Sequence, residues 1–125
     1  MTTAAAIAFT VIMGGLAVFQ LALVAGAPLG RFAWGGQYRV LPAGKRVGSV
    51  VSVVLYALFT VVVLQRAGLV DALPTIFVDI GIWVLVAYFA LGIIMNGASR
   101  SRPERYTMAP LTLVLAVLAL LVALG

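Results

Sequence analysis

Four hydroxyl-bearing side chains, Ser49, Ser52, Tyr56 and Thr60, recur at intervals of three, four and four residues inside an otherwise apolar run. On a helix of 3.6 residues per turn that spacing draws a single polar line. Such a line either bonds back to the preceding turn and across to neighbouring helices, or it lines a solvated or ligand-filled cleft. Nucleophilic chemistry needs more than a hydroxyl, because a base must take its proton. The chain has no histidine and no cysteine, and its one lysine, Lys45, stands beside Arg46. Its acids, Asp71, Asp79 and Glu104, form no pair, and no glycine loop of the phosphate-cradling kind precedes a helix. The sequence therefore carries no catalytic residue, no metal-ligand set and no cofactor motif, and it reads as a protein that is not an enzyme.

The elements that hold these residues follow from composition. Of 125 residues, 65% are hydrophobic and 9% charged, with a mean hydropathy of +1.25. A soluble domain is usually about one-quarter charged. So few charges cannot coat a core against water, and lipid must take the place of a polar shell. The net charge of +5 is explained by topology before nucleic acid, since the basic residues sit in short segments between apolar runs.

Windows of roughly 20 apolar residues, enough to cross a ~30 Å hydrocarbon layer, place helices at about 4–25, 47–65, 75–95 and 107–124. The expected fold is an all-α membrane protein, a four-transmembrane-helix bundle in one integral membrane domain over residues 1–125. The first run lacks a basic leader and exceeds a signal-peptide core in length, so it is expected to stay in the mature protein. The first loop carries Arg31, Arg39, Lys45 and Arg46, and the third carries Arg100, Arg102 and Arg105. Only Arg66 falls on the other side. The positive-inside rule puts loops one and three in the cytoplasm and both termini outside, and this asymmetry argues against a dual-topology dimer.

Small residues mark where helices should meet: Thr10, Gly14, Ala17 and Ala25 in the first span, Gly81 and Gly92 beside Tyr88 in the third, and Ala109, Thr112, Ala116, Ala119 and Ala123 in the fourth. Asp79 lies about one turn after Pro74, where a helix N-terminus and Arg66 would stabilise it; a proton- or cation-handling role is the alternative. Glu104, flanked by arginines, reads as a satisfied loop ion pair.

The first loop is rich in glycine and proline and long for a connector. Gly35-Gly36 between Phe32-Ala33-Trp34 and Gln37-Tyr38-Arg39-Val40 matches a short β-hairpin, although aromatic anchoring of an irregular interfacial segment fits as well. Gln20, Ser49, Ser52, Asn96 and Ser99 fall at one depth, beneath Trp34, Gly35 and Gly36 and beside Arg31, Arg39, Arg100 and Arg102. A polar, basic recess at the cytoplasmic boundary follows, suited to an anionic lipid headgroup, a small ligand or a partner protein. The bland counterpart is that the arginines touch anionic headgroups of the bilayer while the amides satisfy helix ends.

Gly26-Ala27-Pro28-Leu29-Gly30, Trp34-Gly35-Gly36 and Leu41-Pro42, followed by Asn96-Gly97-Ala98-Ser99-Arg100-Ser101-Arg102-Pro103-Glu104-Arg105, resemble the loops of a group of small bacterial four-helix integral membrane proteins. The similarity spans essentially the whole chain. It implies the bacterial cytoplasmic membrane and brings no assigned activity, so no residue role is carried over. Two functions then compete: a binding or accessory protein using the cytoplasmic recess, and a small oligomeric channel or transporter whose path is lined by Ser49, Ser52, Tyr56 and Thr60, with Tyr88.

Overall fold

A computed structural model describes residues 1–125. Four helices carry the fold: α1 Thr2–Val24, α2 Ala43–Arg66, α3 Thr75–Gly97 and α4 Arg102–Leu124. At 23 or 24 residues each, they run about 35 Å, enough to cross a bilayer. Helices α2 and α4 begin about one turn earlier than apolar counting placed them. Pro42 stands at the N-cap of α2. At α4, Ser101 is the N-cap, its hydroxyl accepting the Glu104 N–H, and Pro103 follows within the first turn. A search for apolar windows discards such basic first turns, so Lys45, Arg46, Arg102, Glu104 and Arg105 ride on helices rather than in loops.

The helices form an antiparallel ring, each packed on its neighbours in sequence and α4 closing back on α1. The α1–α2 and α3–α4 seams are extensive, and the α2–α3 seam is thin. Both termini and the α2–α3 loop share one end. There Arg66 donates to Asp79 Oδ1 and to the Ala123 carbonyl, both at 2.8 Å, tying three helices together. Asp79 sits in the second turn of α3, one residue past the first, and is half exposed. Gln65 holds the α2–α3 loop by accepting from the Ala72 and Leu73 N–H groups and donating to the Leu73 carbonyl.

The bundle has a solid half and a hollow half. On the terminal side Ala5, Ala6, Phe9 and Met13 of α1 pack with Val62 and Val63 of α2, Val78, Ile82, Leu85 and Phe89 of α3, and Leu115, Ala116, Ala119, Val122 and Ala123 of α4. The small-residue stripe of α4 is therefore its packing face, and Gly81 and Gly92 of α3 lie within contact of Val62 and Thr112. In α1 the stripe is not the interface. Gly14 and Ala25 are exposed, and the larger Phe9 and Met13 fill the core instead. Only 17–28% of each span's apolar window is buried within the bundle. Ile7, Val11, Val54, Ile80, Val84 and Val117 project outward with many others, so a hydrocarbon solvent is required. This is a multi-pass membrane protein.

The first loop forms two single turns of 3₁₀ helix, at Gly30–Phe32 and Trp34–Gly36, and no strand. The expected β-hairpin is absent. Trp34, Gly35 and Gly36 all have positive φ, at 54°, 68° and 75°, so the tight turn runs on for three residues and the chain does not leave it as a paired strand. One backbone bond closes the loop, from the Gly30 N–H to the Arg39 carbonyl at 2.9 Å. Further ties go to the neighbouring helices: Arg46 of α2 donates to the Leu41 carbonyl at 2.7 Å, the Ser101 hydroxyl donates to the Arg31 carbonyl, and the Gly35 N–H donates to Glu104 Oε2 at 3.1 Å.

Candidate functional site: a cavity beneath the first loop

Above the solid half the four helices part around a cavity of about 300 Å³, at the lower end of the range of ligand pockets, ~300–1,000 Å³. Every helix contributes to its wall, and Phe32, Ala33 and Trp34 of the first loop cover it. The walls are mostly apolar, from Met13, Leu16, Phe19, Phe89, Met108 and Leu111. The lining residues most exposed to the outside are Trp34, Tyr88, Leu91 and Met95. Three of these stand on the membrane-spanning part of α3, where Tyr88 packs against Phe59 of α2 with ring centroids 5.3 Å apart, beside the thin α2–α3 seam.

Seven side chains with a hydroxyl, amide or carboxylate line this space: Gln20, Ser52, Tyr56, Tyr88, Asn96, Glu104 and Thr112. Gln20 Nε2 donates to the Tyr56 hydroxyl at 3.3 Å, linking α1 and α2. Ser52 donates back to the Gly48 carbonyl. Across the cavity Thr112 donates to the Met108 carbonyl at 2.6 Å, and its oxygen accepts from Asn96 Nδ2 at 3.1 Å. Glu104 is 7% exposed, and the one hydrogen bond its carboxylate accepts is from the Gly35 N–H.

Among the sequence-predicted site residues, the structure brings together Gln20, Trp34, Ser52 and Asn96, with Tyr56 and Tyr88. It does not bring the others. Ser49 is buried with its hydroxyl unpartnered, away from the cavity wall. Ser99 is buried in the α3–α4 turn, its Oγ accepting from the Ser101 N–H. Thr60 donates to the Tyr56 carbonyl below the cavity. Gly35 and Gly36 shape the turn without lining the space, and Arg31, Arg39, Arg100 and Arg102 are exposed at the rim of the bundle. The recess is thus basic around its outside and carries no cationic side chain inside.

Two polar lining residues, Glu104 and Thr112, escaped the sequence reading. Glu104 is not the loop ion pair it resembled: the ion pair in this chain is Arg66–Asp79, while Arg105 donates to the Ser99 carbonyl and lies over Tyr106. The signal was the spacing Ser101-x-x-Glu104, a capping box that places the glutamate on the first turn of a helix. Here the carboxylate turns away from its own N-cap toward the first loop, and the Ser101 N–H goes to Ser99 instead. Thr112 was counted with the alanines of a packing stripe. The polar line of α2 faces the interior of its own subunit, with Ser52 and Tyr56 on the cavity wall.

Trp34 is the one non-glycine residue with positive φ, a conformation that costs a bulky side chain free energy unless its surroundings hold it. Lys45 Nζ lies 4.2 Å from its ring centroid, and the ring edge lies over Gly48, within 3.3 Å of where a Cβ would stand. The indole is thereby fixed between the start of α2 and the cavity. Comparison with family models, curated proteins and solved structures finds no match to the chain.

Proposed function

We propose that the protein is a non-enzymatic binding or accessory protein of the bacterial cytoplasmic membrane, holding the polar end of an amphipathic ligand in the cavity beneath its first loop. The observation that carries this reading is the exposure of the lining residues Tyr88, Leu91 and Met95 on the membrane-spanning part of α3 together with a polar interior, which we read as a mouth opening sideways into the lipid. A water-soluble ligand would be served by an opening on the aqueous end, whereas a membrane amphiphile can lay its apolar tail along Leu91 and Met95 and place its polar group among Gln20, Asn96 and Glu104. Loops one and three face the cytoplasm and both termini face outward, on the strength of seven basic residues at one end of the bundle against Arg66 at the other. The resemblance to small bacterial four-helix membrane proteins agrees with that placement.

Photo-crosslinking tests the reading. A phospholipid with a diazirine near its headgroup, supplied in nanodiscs, labels peptides containing Met95, Met108 or Leu111. Met95→Trp, at a mouth position that is two-thirds exposed, closes the entrance without disturbing the core and lowers labelling at least fivefold. Labelling spread evenly over the outer faces of all four helices, unchanged by Met95→Trp, would overturn the proposal.

A further inference from the structure

We infer that the ligand's polar group is a hydrogen-bond-donating cation, a primary ammonium carried on an apolar tail, with Glu104 as its counter-ion; this rests on the binding reading above. The cavity lining contains one carboxylate and neither lysine nor arginine. Glu104 is more than nine-tenths buried, its Oε2 accepts from Gly35, and Oε1 accepts no hydrogen bond from the protein. A buried carboxylate is stabilised by a positive partner, yet no lysine or arginine pairs with this one, the chain's salt bridge being Arg66–Asp79. Arg105 is bound to the Ser99 carbonyl, Arg46 to the Leu41 carbonyl, and Lys45 lies over Trp34.

The neutral groups point to the same chemistry. Because the Thr112 hydroxyl gives its proton to Met108, its oxygen accepts from Asn96, which fixes the Asn96 amide nitrogen toward Thr112 and leaves Oδ1 uncommitted. Gln20 Nε2 donates to the Tyr56 hydroxyl, and Gln20 Oε1 accepts no hydrogen bond from the protein. The polar wall is therefore rich in uncommitted acceptor oxygens, from Glu104, Asn96 and Gln20. An ammonium brings three donors and no acceptor. Aromatic faces at Phe19, Tyr56 and Tyr88 would welcome any alkylammonium, but acceptor oxygens reward N–H groups, which a quaternary ammonium lacks.

The test is native mass spectrometry of the detergent-solubilised protein titrated with dioleoyl phosphatidylethanolamine, the matching phosphatidylcholine and phosphatidylglycerol, and free ethanolamine. The expected result is at least fivefold greater retention of the ethanolamine lipid than of either other lipid, and a drop to parity in Glu104→Gln, which keeps an acceptor for Gly35. Retention of free ethanolamine at concentrations similar to the lipid would support the ammonium site and make a soluble amine its source. Equal retention of ethanolamine and choline lipids by the wild type, or preference for the glycerol lipid, would overturn the ammonium assignment without any variant. The cavity reading has its own control: if Met95→Trp leaves retention of every lipid unchanged, that reading falls, whichever headgroup is preferred.

Discussion

Gly35 and Gly36 form a matched pair for testing how the first loop is held over the cavity. Both have positive φ, 68° and 75°, so alanine at either position pays for a left-handed backbone, about 1–2 kcal/mol. They differ in what the new methyl meets. At Gly35 a Cβ has open space, with nothing within 4 Å. At Gly36 it would lie 2.6 Å from Ser101 Cβ and 2.9 Å from Ser101 Oγ, atoms of the residue that caps the α4 N-terminus. Relieving that clash costs about 1–3 kcal/mol as overpacking. If it parts the loop from α4, the Ser101–Arg31 and Glu104–Gly35 hydrogen bonds are lost as well, about 1 kcal/mol for the first and about 1.5–3 for the charged second. Gly35→Ala should therefore cost about 1–2 kcal/mol, and Gly36→Ala about 2–5 kcal/mol from strain and overpacking alone and more if the two hydrogen bonds are lost. Reversible unfolding in mixed micelles titrated with dodecyl sulfate, followed by the fluorescence of Trp34 and Trp83, measures both. Costs equal to within about 0.5 kcal/mol, or a larger cost at Gly35, would refute the idea that the loop is clamped on α4.

The other expectations concern the two ends of the bundle and its polar ties. Arg66→Met should lower stability by about 1–2 kcal/mol and Asp79→Asn by less than about 1, because Arg66 alone also holds the Ala123 carbonyl and the Asp79 partner is half exposed; equal losses in the same unfolding assay would contradict the three-helix tie. Asn96→Ala and Thr112→Val combined in a double-mutant cycle should show a coupling of about 0.6 kcal/mol, the usual size for a hydrogen bond between membrane helices, and no coupling would remove the Asn96–Thr112 bond from the cavity wall. Since the chain has no cysteine, Leu69→Cys and Arg100→Cys report topology cleanly. An impermeant maleimide added to whole cells should label the first and not the second, and the reverse pattern would invert the proposed orientation.

The four spans were legible because apolar runs of membrane length need no partner to be recognised. Helix starts were less so: the first turns of α2 and α4 carry Lys45, Arg46, Arg102 and Arg105, which an apolar window rejects, although Pro42 and Ser101-x-x-Glu104 announced them. In the first loop the sequence leaves a hairpin and an irregular segment open, because two glycines in sequence specify left-handed turning without saying how many residues share it, and Trp34 extends it by one. Of the site, Gln20, Ser52 and Asn96 were placed by depth arithmetic, which works for helices of known direction. Arg31, Arg39, Arg100 and Arg102, expected beside the polar layer as part of a basic recess, are exposed and none lines the cavity, because depth does not tell inside from outside. Glu104 was hidden for a related reason. Its sequence neighbours are arginines, but on a helix those neighbours point to other faces, and the carboxylate meets Gly35, far away in sequence.

The most direct test of the central claim is native mass spectrometry of the protein released gently from the membrane in which it was made, wild type beside Met95→Trp. An amphiphile retained by the wild type and lost from the variant, with both proteins folded by helical circular dichroism, is the predicted result. A wild type that emerges with no bound mass, or the same bound mass on both proteins, would contradict a ligand cavity entered from the membrane.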